Sequence, residues 1–340
     1  MLDIFASDAF SLVGLTDAIN KIKFVPGYLG QQGLFTSTAI STASVAIEEK
    51  NGILSLIAPT GRGAPGTTLD KSKRTLRTLA VPHFEINDSV MAEEVQGIRA
   101  FGQENATETV MGKVAERLSI HADSMSATEE YARVGAVKGI VTYADGTTLN
   151  LFTTFGVNQA AEVNFDLSNA NPASGALRKA CAGVVRTIAN NLDGVPFIGV
   201  MSLCDDDFFD ALIAHPEVVD SYKNTSMANV LRDGYVLTNG QKIYGAFEFG
   251  GIIWVNYRGS IGGTSFIATD KCHIFPIGVP GFFRSYYAPA DYNETVNTMG
   301  QRLYTKQYEM PNGKGWSLDT QMNALQICTR PTALIKGKRA

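Results

Sequence analysis

Between Pro59 and Leu79 the chain reads PTGRGAPGTTLDKSKRTLRTL, a stretch that is polar, basic and repeatedly broken by Gly and Pro. A structureless loop of ~20 residues does not fit inside a compact domain. The stretch therefore predicts a long two-stranded projection that leaves the body, with its tip near Gly61–Gly66 and its return strand ending in LAVPHFEIND, residues 79–88. A fold with such an arm is built to touch something beyond itself. Just before it, residues 36–58 are rich in β-branched side chains, and Asn51-Gly52 is a strong short hairpin signal. That signal predicts pairing of Val45–Glu49 with Ile53–Ala58.

The rest of the chain predicts an α+β protein without repeats or a true linker. Ser11–Lys23 places Leu12, Leu15, Ile19 and Ile22 at helical spacing, and Pro26, Gly27, Gly30 and Gly33 end that helix before a strand through Leu34 and Phe35. Residues 88–101 predict a short helix capped by Asp88. Asn105 with Glu108 three residues on then opens the longest helical pattern, about Glu108 to Arg133, with Val110, Val114, Leu118 and Met125 among its apolar positions. No Pro interrupts it, so it reads as a supporting beam. Val137–Tyr143 and Thr147–Phe155 flank Asp145-Gly146 as a second hairpin. Ser174 is the expected cap of a helix to Leu192, with Leu177, Ala180, Cys181, Val184, Val185 and Ile188 on one face and Gly194 as its stop. A strand at Pro196–Ser202, a helix from Asp205 to about Ala214, and strands at Gly234–Leu237, Lys242–Phe247, Ile252–Tyr257 and Thr264–Ala268 follow. Mixed strands and loops then lead to a β-rich close at Ser317–Leu334.

Composition narrows the function. With 45% hydrophobic residues in 340 there is ample core. Charged residues are only 18%, below the roughly 25% of an average soluble protein. That leaves neutral surface of the kind that is hidden against partners. The net charge of -4 lacks the basic excess of a dedicated nucleic-acid binder. Cys181, Cys204, Cys272 and Cys328 have no metal-ligand spacing and read as reduced, mostly buried thiols. MLDIFASDAF lacks the basic start of a signal peptide, and no apolar run reaches the ~18–20 residues that span a bilayer, so a protein made and used in solution is expected, with no membrane partner.

Gly61-Arg-Gly63-Ala-Pro-Gly66 fits GxGxxG, but dinucleotide binding requires a helix N-terminus directly behind the glycines, and TTLDKSKRT shows no helical apolar period. It reads as a loop tip. His83, His121, His215 and His273 lie too far apart in sequence to form a zinc motif. Asp205, Asp206 and Asp207 could hold a metal, but three aspartates at a helix start are the expected capping pattern. No catalytic signature appears, so no enzyme, metal or cofactor is expected. Arg62, Lys71, Lys73, Arg74 and Arg77 make the projection basic. The readings are a solvated loop face, or pairing with acidic residues of a neighbouring subunit such as Glu93, Glu94 or Asp205–Asp207.

The opening FSLVGLTDAIN (residues 10–20) followed by FVPGYLGQQGLF (24–35), then RTLAVPH (77–83), IRAFG (98–102), GQRLYTK (300–306) and CTRP (328–331), resembles the lambda-type major capsid protein E family across nearly the whole chain. The resemblance implies the Hong Kong 97-type capsid fold. Its parts would be an N-terminal arm (1–44), an E-loop (45–85), a peripheral domain (86–172) with a spine helix at about 106–134 and a β-hairpin at 137–156, an axial domain (173–290), and a return to the periphery (291–340). It also implies copies of the chain in hexamers and pentamers, with a scaffolding protein, a portal and a decoration protein as helpers. The product would be a virion shell, assembled in the host bacterial cytoplasm, that encloses DNA without sequence-specific binding. Two other readings remain open: an encapsulin-like shell without a viral genome, and an α/β nucleotide-binding enzyme using the glycine loop.

Overall fold

The computed structural model describes residues 27–50, 74–96, 110–169, 171–223, 235–236, 242–243 and 245–340. The expected helix at Ser11–Lys23, the strand Ile53–Ala58 and the tip Gly61–Gly66 lie outside these residues.

Two sheets and one long helix organise the chain. The first sheet has six strands in the order Ala246–Phe249, Ile252–Asn256, Gly199–Cys204, Lys271–Ile277, Ile335–Lys338, Val163–Asn164. Val200 to Cys204 are buried without alternation, which is the mark of a strand covered on both faces. Trp254 is fully buried on one face, between Phe208 (5.8 Å between ring centroids) and Phe165 (5.5 Å). The helix Ala176–Asn191 buries Leu177, Cys181, Val184 and Ile188, as its spacing predicts. Its cap differs from expectation. Gly175, not Ser174, is the N-cap, in a left-handed conformation and with no side-chain bond. The amides of Leu177 and Arg178 instead donate to the carboxylate of Glu217 at 3.0 and 3.2 Å. Glu217 belongs to a further helix, Pro216–Lys223, beyond the one expected to end at about Ala214; Pro216 suits its first turn.

The second sheet is built on one 14-residue strand, Gly315–Cys328. Its last part pairs with Phe283–Tyr287, which carries Phe35–Ala39 as a parallel neighbour. Its first part has Tyr304–Glu309 on one side and His83–Met91 on the other. The long helix, Val110–Lys138, lies on this sheet, with Val114 against Val90 and Leu318, and Met125 against Tyr287 and Met322. At 29 residues it is about 44 Å long. Its apolar period is imperfect for a physical reason: residues 134–137 are buried on every side, whereas the earlier turns alternate. A third unit is the two-stranded ribbon Ser44–Lys50 with Arg74–Ala80.

Several boundaries need correction. Among the described residues of the helix expected over 88–101, His83–Met91 is instead a strand, paired residue for residue with Gly315–Asn323, and Ala92–Glu94 forms a short 3-10 turn. The buried Val90 between helix and sheet decides this against the capping pattern. Val45–Glu49 pairs with Thr75–Leu79, the return strand. The Asp145-Gly146 hairpin exists but is short, Ile140–Thr142 with Thr148–Asn150. Val137 and Lys138 stay in the long helix, and Leu151–Phe155 turns helical because the Asn150 side chain accepts the amides of Phe152 and Thr153. The strand expected at Pro196–Ser202 runs Gly199–Cys204, and Lys242–Phe247 divides into Lys242–Ile243 and Ala246–Phe249.

The loop between Tyr287 and Tyr304 is pinned where Gly300 donates its amide to the Ile40 carbonyl at 2.8 Å. A Cβ at Gly300 would sit on the backbone carbonyl of Tyr287. Gly300→Ala is therefore expected to cost about 1–3 kcal/mol, read as a lower urea midpoint at unchanged slope.

Candidate assembly surfaces

The described N-terminal segment is fastened to the body at Glu130, which stands beside a second buried carboxylate, Glu129; both side chains are 0% exposed. Arg133 reaches both, at 2.6 Å to Glu129 and 3.5 Å to Glu130. Arg302 adds a second cation, 2.7 Å from Glu129, and the Tyr287 hydroxyl donates to the same carboxylate at 2.5 Å. Glu130 accepts the amides of Leu29 (2.6 Å) and Gly30 (3.2 Å), in the single helical turn Tyr28–Gln31, and the hydroxyl of Tyr257 (3.3 Å). Burial, and then the Glu130 charge, push the Tyr257 phenol well above its ordinary range. The spacing of Glu129, Glu130 and Arg133 is that of ordinary surface ion pairs on a helix, so nothing in the sequence marked them as a buried anchor.

From this anchor the ribbon Ser44–Lys50/Arg74–Ala80 departs with two unlike faces. Val45, Ile47, Arg77 and Leu79 turn toward the body, and Ser44, Ala46, Leu76, Thr78 and Ala80 turn to solvent. Leu76 is 68% exposed. These five exposed side chains carry no charge, and such a row suits coverage by a partner better than solvation. Of the basic residues read from the projection, Arg77 donates to the carbonyl of Thr154 at 2.5 Å in its own chain. Arg74 is placed only as the first residue of its strand, and Arg62, Lys71 and Lys73 lie outside the described residues.

The acidic candidates are scattered. Glu93 is exposed; Glu94 accepts the Met91 amide at 3.2 Å and lies 3.6 Å from Arg117. Asp205 is the N-cap of the helix Asp206–Ala214 and accepts the Asp207 amide. Asp206 is held below the usual carboxylate range by the Asn256 amide (2.7 Å) and then by the Arg258 guanidinium (2.9 Å). Asp207 is exposed and lines an open cleft of about 490 Å³ with Asp210, Ala211, Leu167 and Arg339. The cysteines are buried, and burial pushes the Cys181 thiol up to about 12. Among the described residues no three metal-ligating side chains gather, and no helix is long and apolar enough to cross a membrane.

The sequence matches the family described as phage major capsid protein E over residues 11–339. The chain belongs to that family. It is 29% identical over 350 aligned residues to the major capsid protein of Pseudomonas phage KPP10, covering 97% of both chains. It is 26% identical to that of Salmonella phage Felix O1, covering 98% of both. Among solved structures it resembles the putative capsid protein of an Escherichia coli CFT073 prophage (TM-score 0.55, 11% identity, 96% of this chain and 98% of that one). It also resembles the capsid of Myoviridae phage XM1 (TM-score 0.54, 12% identity, 94% and 93%). At such low identity these two speak for the fold alone, and the fold is the Hong Kong 97-type capsid fold. The capsid protein forms the head shell of a phage from multiple copies of itself and belongs to a family of structural proteins, not enzymes. The viral relatives favour this reading over an encapsulin-like shell.

Proposed function

We propose that copies of the chain join as hexamers and pentamers into the icosahedral shell around the double-stranded DNA genome, in the host bacterial cytoplasm, with a scaffolding protein, a portal and a decoration protein as helpers. The division of labour follows the expected parts: arm 1–44, E-loop 45–85, periphery 86–172 and 291–340, axial domain 173–290. The E-loop lies over the adjacent subunit. Its basic residues Arg62, Lys71, Lys73 and Arg74 pair there with acidic groups such as Glu93 and Glu94, whereas Arg77 is held by the Thr154 carbonyl of its own chain, and Asp205 and Asp206 by their own cap and ion pair. The observation that carries this reading is the row of uncharged, exposed side chains Ser44, Ala46, Leu76, Thr78 and Ala80, which has no cover within the described residues of its own chain. Many weak contacts of this kind add up in a closed shell.

Shortening the tip at Gly61–Gly66 is expected to abolish particles in sedimentation and negative-stain electron microscopy, while the subunit keeps its circular dichroism and melting temperature. The full-length chain is expected to give shells, rings or tubes, alone or with a scaffolding protein. A full-length chain that stays monomeric under both conditions would overturn the proposal.

A further inference from the structure

The six-stranded sheet carries like charges where a ladder normally avoids them. Between Lys271–Ile277 and Ile335–Lys338, Lys271 stands opposite Lys338 and His273 opposite Lys336. Directly opposed and alternate residues share a face, so all four side chains project to one side. Lys138, at the end of the long helix, joins them; its ammonium donates to the Phe266 carbonyl at 3.1 Å. Burial and then Lys138 push His273 down to about 3, so it is neutral and adds no charge. Glu162 answers Lys271 at 2.9 Å and Lys336 at 3.2 Å, and no other carboxylate pairs with these lysines among the described residues. Like charges opposed across a ladder are destabilising, and one carboxylate does not balance four lysines. The chain is nevertheless net negative at -4, so its remaining surface is more acidic still.

The opposite face of the same sheet presents the complement. Trp254 is in register with Ser202, which is in register with Ile274, the neighbour of His273, so Trp254 points away from the lysines. Phe208 stacks on Trp254 and so places the helix Asp206–Ala214 on that side. Asp207 and Asp210, three residues apart and therefore on one helix face, are exposed and lie along the open cleft. Neither has an ion partner among the described residues.

We propose that these two surfaces meet between neighbouring copies, with the lysine cluster of one subunit receiving Asp207 and Asp210 of the next. The inference rests on the shell-building reading and names one of its contacts. Because the two patches are different surfaces on opposite faces of a sheet, the contact is head-to-tail, the type that closes into rings. A second copy suits the cluster better than nucleic acid does. The lysines are compact and half-buried (Lys271 26% and Lys336 36% exposed), not a track along a phosphate backbone, and the acidic remainder of the chain repels phosphate.

The test is charge exchange in the full chain, with assembly followed by sedimentation and electron microscopy at low and high salt. Lys336→Glu with Lys338→Glu, and separately Asp207→Lys with Asp210→Lys, are expected to raise the concentration needed for particles by about tenfold or more. The combined exchange is expected to recover most of that loss. Two reversals that each assemble like wild type would sink the contact, as would a combined variant no better than either alone. Normal particles that lose only their nucleic acid would place the lysines against DNA instead. If a reversed subunit melts early, the neutral pairs Lys336→Gln/Lys338→Gln and Asp207→Asn/Asp210→Asn replace it. Both should lessen the salt dependence of assembly, and an unchanged dependence would count against the contact. Wild-type chain that fails to assemble with scaffold removes the shell reading itself, whereas assembling wild type with unaffected variants removes only this contact.

Discussion

Replacing Arg133 by Met is expected to lower the stability of the unassembled subunit by about 3–5 kcal/mol. Arg133 is 12% exposed and, among the described residues, is the one side chain with ion pairs to both Glu129 and Glu130. With Arg302 it balances two charges that have no access to water. Without it Glu129 keeps Arg302, but among the described residues Glu130 keeps only amide and hydroxyl donors and no cation. Removing one partner of a buried ion pair leaves the other uncompensated, and that is what makes the loss large. The urea midpoint by circular dichroism reads the effect. Adding Glu130→Gln to Arg133→Met should recover part of the loss, because the stranded charge is then gone; a strictly additive double variant would mean that the two groups do not act as a pair. The same substitution removes the Arg133 guanidinium from above the Phe35 ring, at 5.8 Å, so the strand that follows the anchored turn loosens as well. Weaker assembly should accompany the lower midpoint.

How much of this was legible depends on whether local pattern or distant pairing decided the outcome. The helix Ala176–Asn191 and the helix Asp206–Ala214 followed directly from apolar spacing and the Asp205 cap. The return strand of the ribbon was legible from the sequence up to Leu79, but its partner was not: the Asn51-Gly52 signal pointed Val45–Glu49 to Ile53–Ala58, whereas it pairs with Thr75–Leu79. His83–Met91 was misread because Asp88 looks like a cap, and its true partner, Gly315–Asn323, lies far along the chain. The Glu217 cap was hidden for the same reason: it reaches the start of a helix 39 and 40 residues earlier, and no local rule predicts that. The lysine cluster shows the limit most clearly. Lys138, Lys271, Lys336 and Lys338 are unremarkable singly; strand register puts the last three on one face, and the end of the long helix brings Lys138 to them.

Trp254→Ala should be as severe, about 3–5 kcal/mol, for a different reason. The indole is fully buried and fills the space between Phe208 and Phe165, so its loss leaves a cavity beneath the helix Asp206–Ala214. Its N–H also donates to the Phe249 carbonyl at 3.1 Å, and that acceptor would be left without its donor. Trp254→Phe keeps most of the ring volume and gives up mainly the hydrogen bond, so its cost should be smaller, about 1–3 kcal/mol. The order of the two urea midpoints separates packing from hydrogen bonding: equal losses would mean the carbonyl matters more than the cavity. Since the stacked Phe208 carries the helix that presents Asp207 and Asp210, Trp254→Ala should lose assembly along with stability. Trp254→Phe should still form particles, and if it did not, the position of that helix would depend on the indole hydrogen bond and not on the packing beneath it.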